Sequence, residues 1–252
     1  MKLNPYIAGV VFALLFIPTY LWNHELFLLL NGWHSPFADQ VMGVWSGFGD
    51  GMVVVLLVAM LMLFQLRLGL AALLALTLSG LITQIIKRSL EMPRPPAVFE
   101  DVHILGHHLY NYSFPSGHST SCGVMALLAL LLWRILWRDK HVAFAWSAFS
   151  LFMIAAYGRI YGGVHFPLDM LVGFSIGLLT MWCCYQWSQA WQVDVWLKSD
   201  WSWKLPGLFV LLTATILAFF YEVKPNTAQI LAFLLPIIAL MTLMQAWKKH
   251  LR

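Results

Sequence analysis

Apolar residues gather in eight long segments of the chain, with short polar breaks between them. The segments occupy approximately residues 6–22, 51–66, 68–87, 118–137, 142–159, 166–187, 205–221 and 228–247. Such segments are long enough for helices that cross the roughly 30 Å of hydrocarbon in a bilayer. The pattern predicts an all-α fold, a polytopic transmembrane helix bundle that forms one integral-membrane domain over residues 1–252.

The N-terminal part of the chain is less regular than the rest. The first segment follows a positive charge, as in a signal peptide, but lacks an obvious small-residue cleavage site, so we expect it to remain as the first span. Residues 24–50 are too irregular to predict a span. They could form short interfacial helices rich in aromatic side chains.

The composition supports a membrane protein. The chain is 61% hydrophobic and only 10% charged, whereas about a quarter of the residues in a soluble domain are charged. The net charge of +4 is explained by basic residues in cytoplasmic loops, so we expect no nucleic-acid partner. The three cysteines have no disulfide or zinc spacing and are expected to be small core or lipid-facing residues. They are Cys122, Cys183 and Cys184.

The distribution of basic residues predicts an orientation. If the N-terminus is cytoplasmic, ten of the fifteen basic residues face the cytoplasm, as the positive-inside rule requires. These ten are Lys2, Arg67, Arg134, Arg138, Lys140, Lys198, Lys204, Lys248, Lys249 and Arg252. The five on the other side are Lys87, Arg88, Arg94, Arg159 and Lys224. We therefore expect an inner (plasma) membrane protein with both termini in the cytoplasm.

Three polar segments stand at helix ends on the outer side. They are "KRSLEMPRP" with Lys87 and Arg94-Pro95, "FPSGHSTS" with Pro115 to His118, and "YGRIYGGVHFPLD" with Arg159, His165 and Asp169. Ionisable groups at membrane depth are costly and usually functional. Because all three segments face the same aqueous side, we expect them to converge in one pocket.

The residue types in this pocket suit a phosphate. Three cations, Lys87, Arg94 and Arg159, would repel one another unless they bind a multiply charged anion. Arginine matches phosphate oxygens with paired donors. Ser116 offers a hydroxyl, and Gly117 allows close approach to a helix N-terminus, which favours anions.

The remaining polar groups suit acid–base or nucleophilic chemistry. His165 and Asp169 are four residues apart, about one helical turn, so the carboxylate can accept from one ring nitrogen. The other nitrogen is then free as a nucleophile or a base. His118 has no acidic partner nearby in the sequence and could act as a general acid. Together these groups indicate phosphoryl transfer without a metal or cofactor.

The three segments resemble the signature motifs of the type 2 phosphatidic acid phosphatase superfamily. The resemblance rests on Lys-six residues-Arg-Pro, Pro-Ser-Gly-His and Arg-five residues-His-three residues-Asp, between residues 87 and 169. It implies a six-helix membrane core over about residues 1–190, and the extra helices expected at about 205–247 go beyond that core. The third motif often opens with serine, and here Gly158 precedes Arg159.

The resemblance also implies roles for individual residues. His165 would form a phosphohistidine intermediate supported by Asp169, and His118 would protonate the leaving group and later activate water. The phosphate contacts would come from Lys87, Arg94, Ser116, Gly117, His118 and Arg159.

Simpler explanations exist for several of these residues. Lys87 and Arg94 could be snorkelling charges, "PSGH" a helix cap, and His165 with Asp169 a helical pair. In the long loop, His103, His107 and His108 could bind zinc, although no acidic or cysteine set completes a site. A flexible gate or a headgroup contact is the alternative for these three.

The sequence therefore predicts a lipid phosphate or diphosphate phosphatase that acts on an amphiphilic substrate among membrane lipids. Undecaprenyl diphosphate is the first expected substrate, followed by phosphatidylglycerol phosphate and the 1-phosphate of lipid A. A lipid phosphotransferase with the same site is an alternative. An anion or lipid transporter would need a path to both sides, yet the ionisable groups stay on one side. A haloperoxidase-like oxidation with bound vanadate is a further alternative, but that reaction does not require a site embedded in a membrane.

Overall fold

The computed structural model of the protein describes residues 5–137, 142–193, 199 and 201–250. Every regular element in these residues is helical, which confirms the predicted all-α fold. The α-helices are α1 (Pro5–Leu21), α2 (Asn23–Asn31), α3 (Pro36–Ser46), α4 (Gly51–Met62), α5 (Leu66–Leu90), α6 (Pro95–Val98), α7 (Gly117–Trp137), α8 (Val142–Tyr161), α9 (Pro167–Ser188), α10 (Trp201–Phe219) and α11 (Ile230–His250). Two 3₁₀ turns, Gly47–Gly49 and Asn226–Gln229, precede α4 and α11.

The described residues contain six helical segments long and apolar enough to cross a membrane, or up to eight if two bent pairs are each one span. The bends are 88° between α1 and α2 and 59° between α3 and α4. Helix α4, with 12 residues and a length of about 18 Å, is shorter than the predicted segment 51–66. Its start is fixed by Asp50, whose Oδ1 accepts the Met52 N–H at 2.9 Å. Helices α2 and α3 fill the irregular region 24–50.

Helix α7 lies at the centre of the bundle, in contact with α5, α8 and α9. Its packing against α9 is close, because a side-chain methyl at Gly177 would lie 2.1 Å from the carbonyl oxygen of Thr120. Small residues at helix contacts allow such approach in membranes. Cys122 and Cys184 are buried free thiols and Cys183 is exposed, as predicted.

Helices α10 and α11 form a C-terminal hairpin that packs on α4. Val53 and Leu56 of α4 join one buried apolar cluster with Val210 of α10 and Leu231 of α11. The hairpin is therefore anchored to the helix that starts at Asp50.

The predicted orientation depends partly on residues whose placement is not described. Lys2, Arg138, Lys140, Lys198 and Arg252 lie outside the described residues, as does the side chain of Lys249. The cytoplasmic position of both termini remains a prediction.

Candidate active site

The structure brings the three motif segments together at one end of the bundle. The C-terminal turn of α5 carries Lys87, and α7 begins at Gly117. The Ser116 N–H donates to the carbonyl oxygen of Asp169 at 3.0 Å. This hydrogen bond ties the start of α7 to the first turn of α9.

His165 stands between a cation and a carboxylate. Its Nε2 is 3.2 Å from Nη1 of Arg94, and its Nδ1 is 3.3 Å from Oδ2 of Asp169. Because a guanidinium can only donate, Nε2 must accept. The ring proton of a neutral His165 therefore lies on Nδ1, where it faces the carboxylate. Both His165 and Asp169 are buried.

The local fold that joins His165 to Asp169 differs from the predicted helical turn. Helix α8 ends at Tyr161, Gly163 adopts a φ of +69°, and α9 begins only at Pro167. Asp169 is thus the third residue of α9, and its Oδ2 accepts the Phe166 N–H at 2.9 Å. The predicted pairing of the two side chains occurs, but it spans a helix N-terminus rather than a turn within one helix.

Ser113 is a part of this site that the sequence did not predict. Its hydroxyl donates to Oδ2 of Asp169 and lies 3.4 Å from Nδ1 of His165. The carboxylate of Asp169 therefore faces three donors, from Ser113, Phe166 and His165. Ser113 lies in a loop without periodicity, so the sequence carried no signal for it beyond its position two residues before Pro115.

The electrostatic surroundings keep His165 neutral. Burial lowers the pKa of His165 well below its usual value, and nearby positive charges lower that pKa further. The charges that act on it belong to Arg94, Lys87, Arg159 and His118. At neutral pH the ring is therefore unprotonated at Nε2 and carries a lone pair there.

Lys87 and Arg94 are held in place by loop carbonyls. The Lys87 ammonium donates to Tyr112 O at 2.6 Å and to Ser113 O at 3.0 Å. The Arg94 Nε donates to Asn111 O at 2.8 Å. The Lys87 ammonium has three protons. Two of them go to these carbonyl oxygens, and the third is left to donate to a ligand. Both cations are thus held in place by carbonyl groups of the protein itself.

The N-terminus of α7 offers an anion site, although Ser116 has a structural task there. The Ser116 hydroxyl accepts from the Ser119 N–H at 3.3 Å and from the Ser119 hydroxyl at 2.9 Å, so it caps the helix. The next residue is open, because a methyl at Gly117 would meet only a Thr83 carbon, at 4.0 Å. Contact between the Ser116 hydroxyl and phosphate stays a prediction.

His118 and Arg159 carry buried nitrogens without partners. Within the described residues, neither Nε2 of His118 nor Nε of Arg159 has a hydrogen-bond partner. Buried polar atoms are rarely left unpaired in native proteins, so this pair suits a polar ligand.

Asp50 lies close to both residues. Its Oδ2 is 4.0 Å from Nε2 of His118, and its charge attracts Arg159. The sequence signal for Asp50 is an acidic residue directly before an apolar run, which is typical of an N-cap.

Gly158 stands before Arg159, where the third motif often has serine, and the structure leaves no room for a side chain at this position. A methyl at Gly158 would lie 2.8 Å from Cβ of Ser46 on α3. The space for a side chain is therefore occupied by Ser46, whose buried hydroxyl has no hydrogen-bond partner among the described residues.

The loop histidines do not form a metal centre in the described residues. No group of three or more His, Cys, Asp or Glu side chains there is arranged so that it could hold a metal ion. His103 instead pairs its Nε2 with Oδ1 of Asp39 at 2.9 Å and stacks on His34 at 3.9 Å. His103 thereby joins the long loop to α3.

A cavity of about 320 Å³ leads away from the site. It lies between α4, α5 and α7, and Gly117 and His118 are among the residues that line it. The other lining residues are mainly small or apolar, including Val54, Leu73, Leu76 and Gly80.

Comparison with known proteins gives the same family as the motifs. The family model of the PAP2 superfamily matches residues 68–192, which include all eight predicted site residues. The crystal structure of LpxE from Aquifex aeolicus is 30% identical and superimposes with a TM-score of 0.58. The match covers 65% of this chain and 94% of that one.

The chain is also similar to curated proteins that are named as phosphatases. The undecaprenyl-diphosphatase of Sulfolobus acidocaldarius is 26% identical, and the match covers 62% of this chain and 73% of that protein. Phosphatidylglycerophosphatase B of Bacillus subtilis is 32% identical, with 44% of this chain and 53% of that protein covered. Several matches span less than two thirds of the relative, with shares of 53%, 33% and 30% among them.

These comparisons agree with the predicted enzyme class, since the relatives are named as phosphatases of lipid phosphates. The six long apolar helical segments of the described residues agree with a multi-pass membrane protein. The chain belongs to the PAP2 superfamily, the type 2 phosphatidic acid phosphatase family that its motifs predict.

Proposed function

We propose that the protein is a membrane-embedded lipid phosphatase that transfers a phosphoryl group from a lipid phosphate or diphosphate to His165 and then to water. The observation that carries this proposal is the environment of His165. Its Nε2 faces Arg94 at 3.2 Å, its Nδ1 faces Asp169 at 3.3 Å, and its pKa is lowered. An oriented neutral imidazole beside cations has the properties of a nucleophile for a phosphate.

In the first step, the Nε2 lone pair of His165 attacks phosphorus. The N–P bond forms while the bond from phosphorus to the lipid-side oxygen breaks, and the electron pair of that bond goes to the oxygen. His118 donates a proton to this leaving oxygen. Asp169 stabilises the positive charge on the His165 ring, and Lys87, Arg94 and Arg159 hold the phosphoryl oxygens.

In the second step, water attacks the phosphohistidine. His118 takes a proton from the water, the N–P bond breaks and inorganic phosphate leaves. Gly117 supports the phosphate through the N-terminus of α7, where free N–H groups favour an anion. The hydroxyl of Ser116 is proposed to contribute there as well.

The cavity beside His118 supports a lipid substrate. Along α5 its lining runs from Leu73 to Gln84, a length of about 16 Å. A cavity that is lined mainly by small or apolar residues and reaches His118, which lies within the influence of the charges of Lys87, Arg94 and Arg159, suits an acyl or prenyl chain with a phosphate head.

The names of relatives support a lipid phosphate or diphosphate as the class of substrate. Those above are named for undecaprenyl diphosphate and phosphatidylglycerol phosphate, and others for the 1-phosphate of lipid A. We propose undecaprenyl diphosphate or phosphatidylglycerol phosphate as the substrate, with the lipid A 1-phosphate as the alternative. A phosphotransferase would use the same phosphohistidine with a lipid acceptor in place of water.

The proposed setting is the inner membrane, with both termini in the cytoplasm and the active site on the outer side. The positive-inside count supports this orientation. We propose one integral-membrane domain, in which a core of about residues 1–190 carries the site and the helices at about 205–247 pack on it.

The test is a panel of lipid phosphates and diphosphates with purified protein, in which free phosphate and phosphorylated lipid acceptor are both measured. The proposal predicts release of free phosphate that His165→Ala abolishes while the protein still inserts and folds. Phosphate that appears mainly on an acceptor lipid would favour the phosphotransferase. Undiminished activity of His165→Ala would exclude His165 as the nucleophile.

A further inference from the structure

Asp50 occupies a position between the active site and the C-terminal hairpin. One carboxylate oxygen, Oδ1, accepts the Met52 N–H and caps α4. The other, Oδ2, accepts the Tyr221 hydroxyl at 3.1 Å and lies 4.0 Å from Nε2 of His118. Asp50 is 4% exposed, so its carboxylate is directed at protein groups rather than at water.

Neither partner in this contact belongs to the family motifs. The matched family region covers residues 68–192, whereas Asp50 precedes it and Tyr221 follows it. Tyr221 lies in the connection between α10 and α11. The contact therefore links the site to helices outside the matched region.

We infer that Asp50 is a positioning residue for His118 and that Tyr221 of the C-terminal hairpin fixes the Asp50 carboxylate in that place. The inference rests on the proposed function, in which His118 donates a proton to the leaving oxygen.

The first reason is electrostatic. In the proposed function a protonated His118 shares the site with Lys87, Arg94 and Arg159, whose charges disfavour the imidazolium. Like charges repel, so an imidazolium in this place needs a nearby anion. Asp50 is in position to supply it, since at 4.0 Å its carboxylate attracts an imidazolium without bonding to it. Nε2 of His118 thus stays available for the leaving oxygen.

The second reason is the protonation state of Tyr221. Burial and the neighbouring Asp50 charge raise the pKa of the Tyr221 phenol above its usual range. The phenol is therefore protonated at any ordinary pH and donates to Oδ2 of Asp50. A donor on this oxygen holds the carboxylate in one rotamer and stabilises its negative charge.

The third reason is packing around the turn that carries Asp50. A methyl at Gly47 would lie 2.7 Å from Cβ of Ala228, so the two 3₁₀ turns are in direct contact. Val223, fully buried beside Tyr221, belongs to the same apolar cluster as Val53. The hairpin therefore fixes the backbone of this turn as well as the side chain of Asp50.

Two substitutions separate charge and positioning from stability. Asp50→Asn keeps a good helix N-cap and removes the charge, and Tyr221→Phe removes only the hydroxyl. Tyr185→Phe is the matched control, because Tyr185 is a half-buried tyrosine on α9 packed in a different apolar cluster. Each purified full-length variant is assayed on an alkyl phosphate, which needs leaving-group protonation, and on 4-nitrophenyl phosphate, which does not.

For the alkyl phosphate, kcat/KM is expected to fall about tenfold in Asp50→Asn and about threefold in Tyr221→Phe. These losses are smaller than the roughly 10²–10⁴-fold contribution of a general acid itself, because His118 is still present. For 4-nitrophenyl phosphate it should stay within about twofold of wild type. The alkaline limb of the Asp50→Asn pH profile should move to lower pH, because the imidazolium loses its anion. The titratable and charged groups that face His118 in this profile are Lys87, Arg94, Arg159, His165 and Asp50.

Equal losses on both substrates would show a structural role only, and no loss on the alkyl phosphate would exclude a role for Asp50. Either result, with an active wild type, overturns this inference and leaves the proposed function intact. A wild type that releases phosphate from neither substrate overturns both.

Discussion

Nη1 of Arg94 lies 3.2 Å from Nε2 of His165. Since the guanidinium can only donate, this contact assigns the lone pair of His165 to the nitrogen that faces the cation. A phosphate bound beside these two groups would replace this contact, accept from Arg94 and present its phosphorus to Nε2. In the proposed reaction, one arginine therefore both orients the nucleophile and holds the group that it attacks.

Substitution of Asp169 tests the orientation of His165. Asp169→Asn leaves an amide of similar size but removes the charge that stabilises a positive ring. The side chain can also rotate so that its NH₂ faces Nδ1, which reverses the tautomer. We expect kcat to fall about 10³-fold or more, as for the buried aspartate of other triads, with KM changed little. A KM effect without a kcat effect would mean that Asp169 contributes only to binding.

The pH dependence tests the cations around His165. Because His165 must be neutral to attack and its pKa is lowered, the acid limb of kcat/KM should lie below about pH 6.5, the usual value for histidine. Lys87→Gln removes one repelling charge, so the pKa of His165 should rise and the acid limb should move to higher pH. The exposed Lys248 provides the control substitution, Lys248→Gln. An acid limb that stays in place in Lys87→Gln would contradict this electrostatic account.

The contact between Gly158 and Ser46 predicts a steric effect on stability. Gly158→Ala should lower the free energy of unfolding by about 1–3 kcal/mol, as overpacking does. Thermal unfolding in detergent measures the change, and Ser46→Gly in the same chain should reverse most of it. Gly80→Ala is the control, because a methyl at Gly80 meets nothing within 4 Å. A stable Gly158→Ala variant would mean that α3 moves away easily.

The cavity along α5 predicts selective loss of long-chain substrates. Gly80→Leu places a branched side chain in the lining, where it should compete with an acyl or prenyl chain. We expect KM for a long-chain lipid phosphate to rise about tenfold, within the 1–3 kcal/mol typical of apolar pocket changes. A short-chain soluble phosphate serves as the internal control, and its KM should hardly change. An equal rise for both substrates would place the lipid chain elsewhere.

The helices were largely predictable because lipid imposes long uninterrupted apolar runs. The predicted segment 118–137 corresponds to α7 at Gly117–Trp137, and 142–159 to α8 at Val142–Tyr161. The bends at residues 22 and 50 were not predictable in the same way. They depend on where α2 and α3 pack, and hydropathy carries no information about that packing.

The site was predictable where residue spacing reflects chemistry. Arg94, His165 and Asp169 meet in space because their motifs lie at helix ends that pack together. Ser113 and Tyr221 were missed, since each reaches the site through a loop contact between residues far apart in the sequence. The pairing of His165 with Asp169 was expected from helical spacing, yet it arises across the start of α9.

Trapping of the intermediate tests the central claim most directly. Purified protein is mixed with a lipid phosphate that carries a radiolabelled phosphoryl group and quenched within milliseconds, and the labelled residue is mapped by peptide mass spectrometry. The account predicts an acid-labile, alkali-stable label on His165 that is absent from His165→Ala and forms more slowly in His118→Ala, where the leaving oxygen lacks its proton donor. Phosphate release by wild type with no labelled protein, or a label on any other residue, would contradict it.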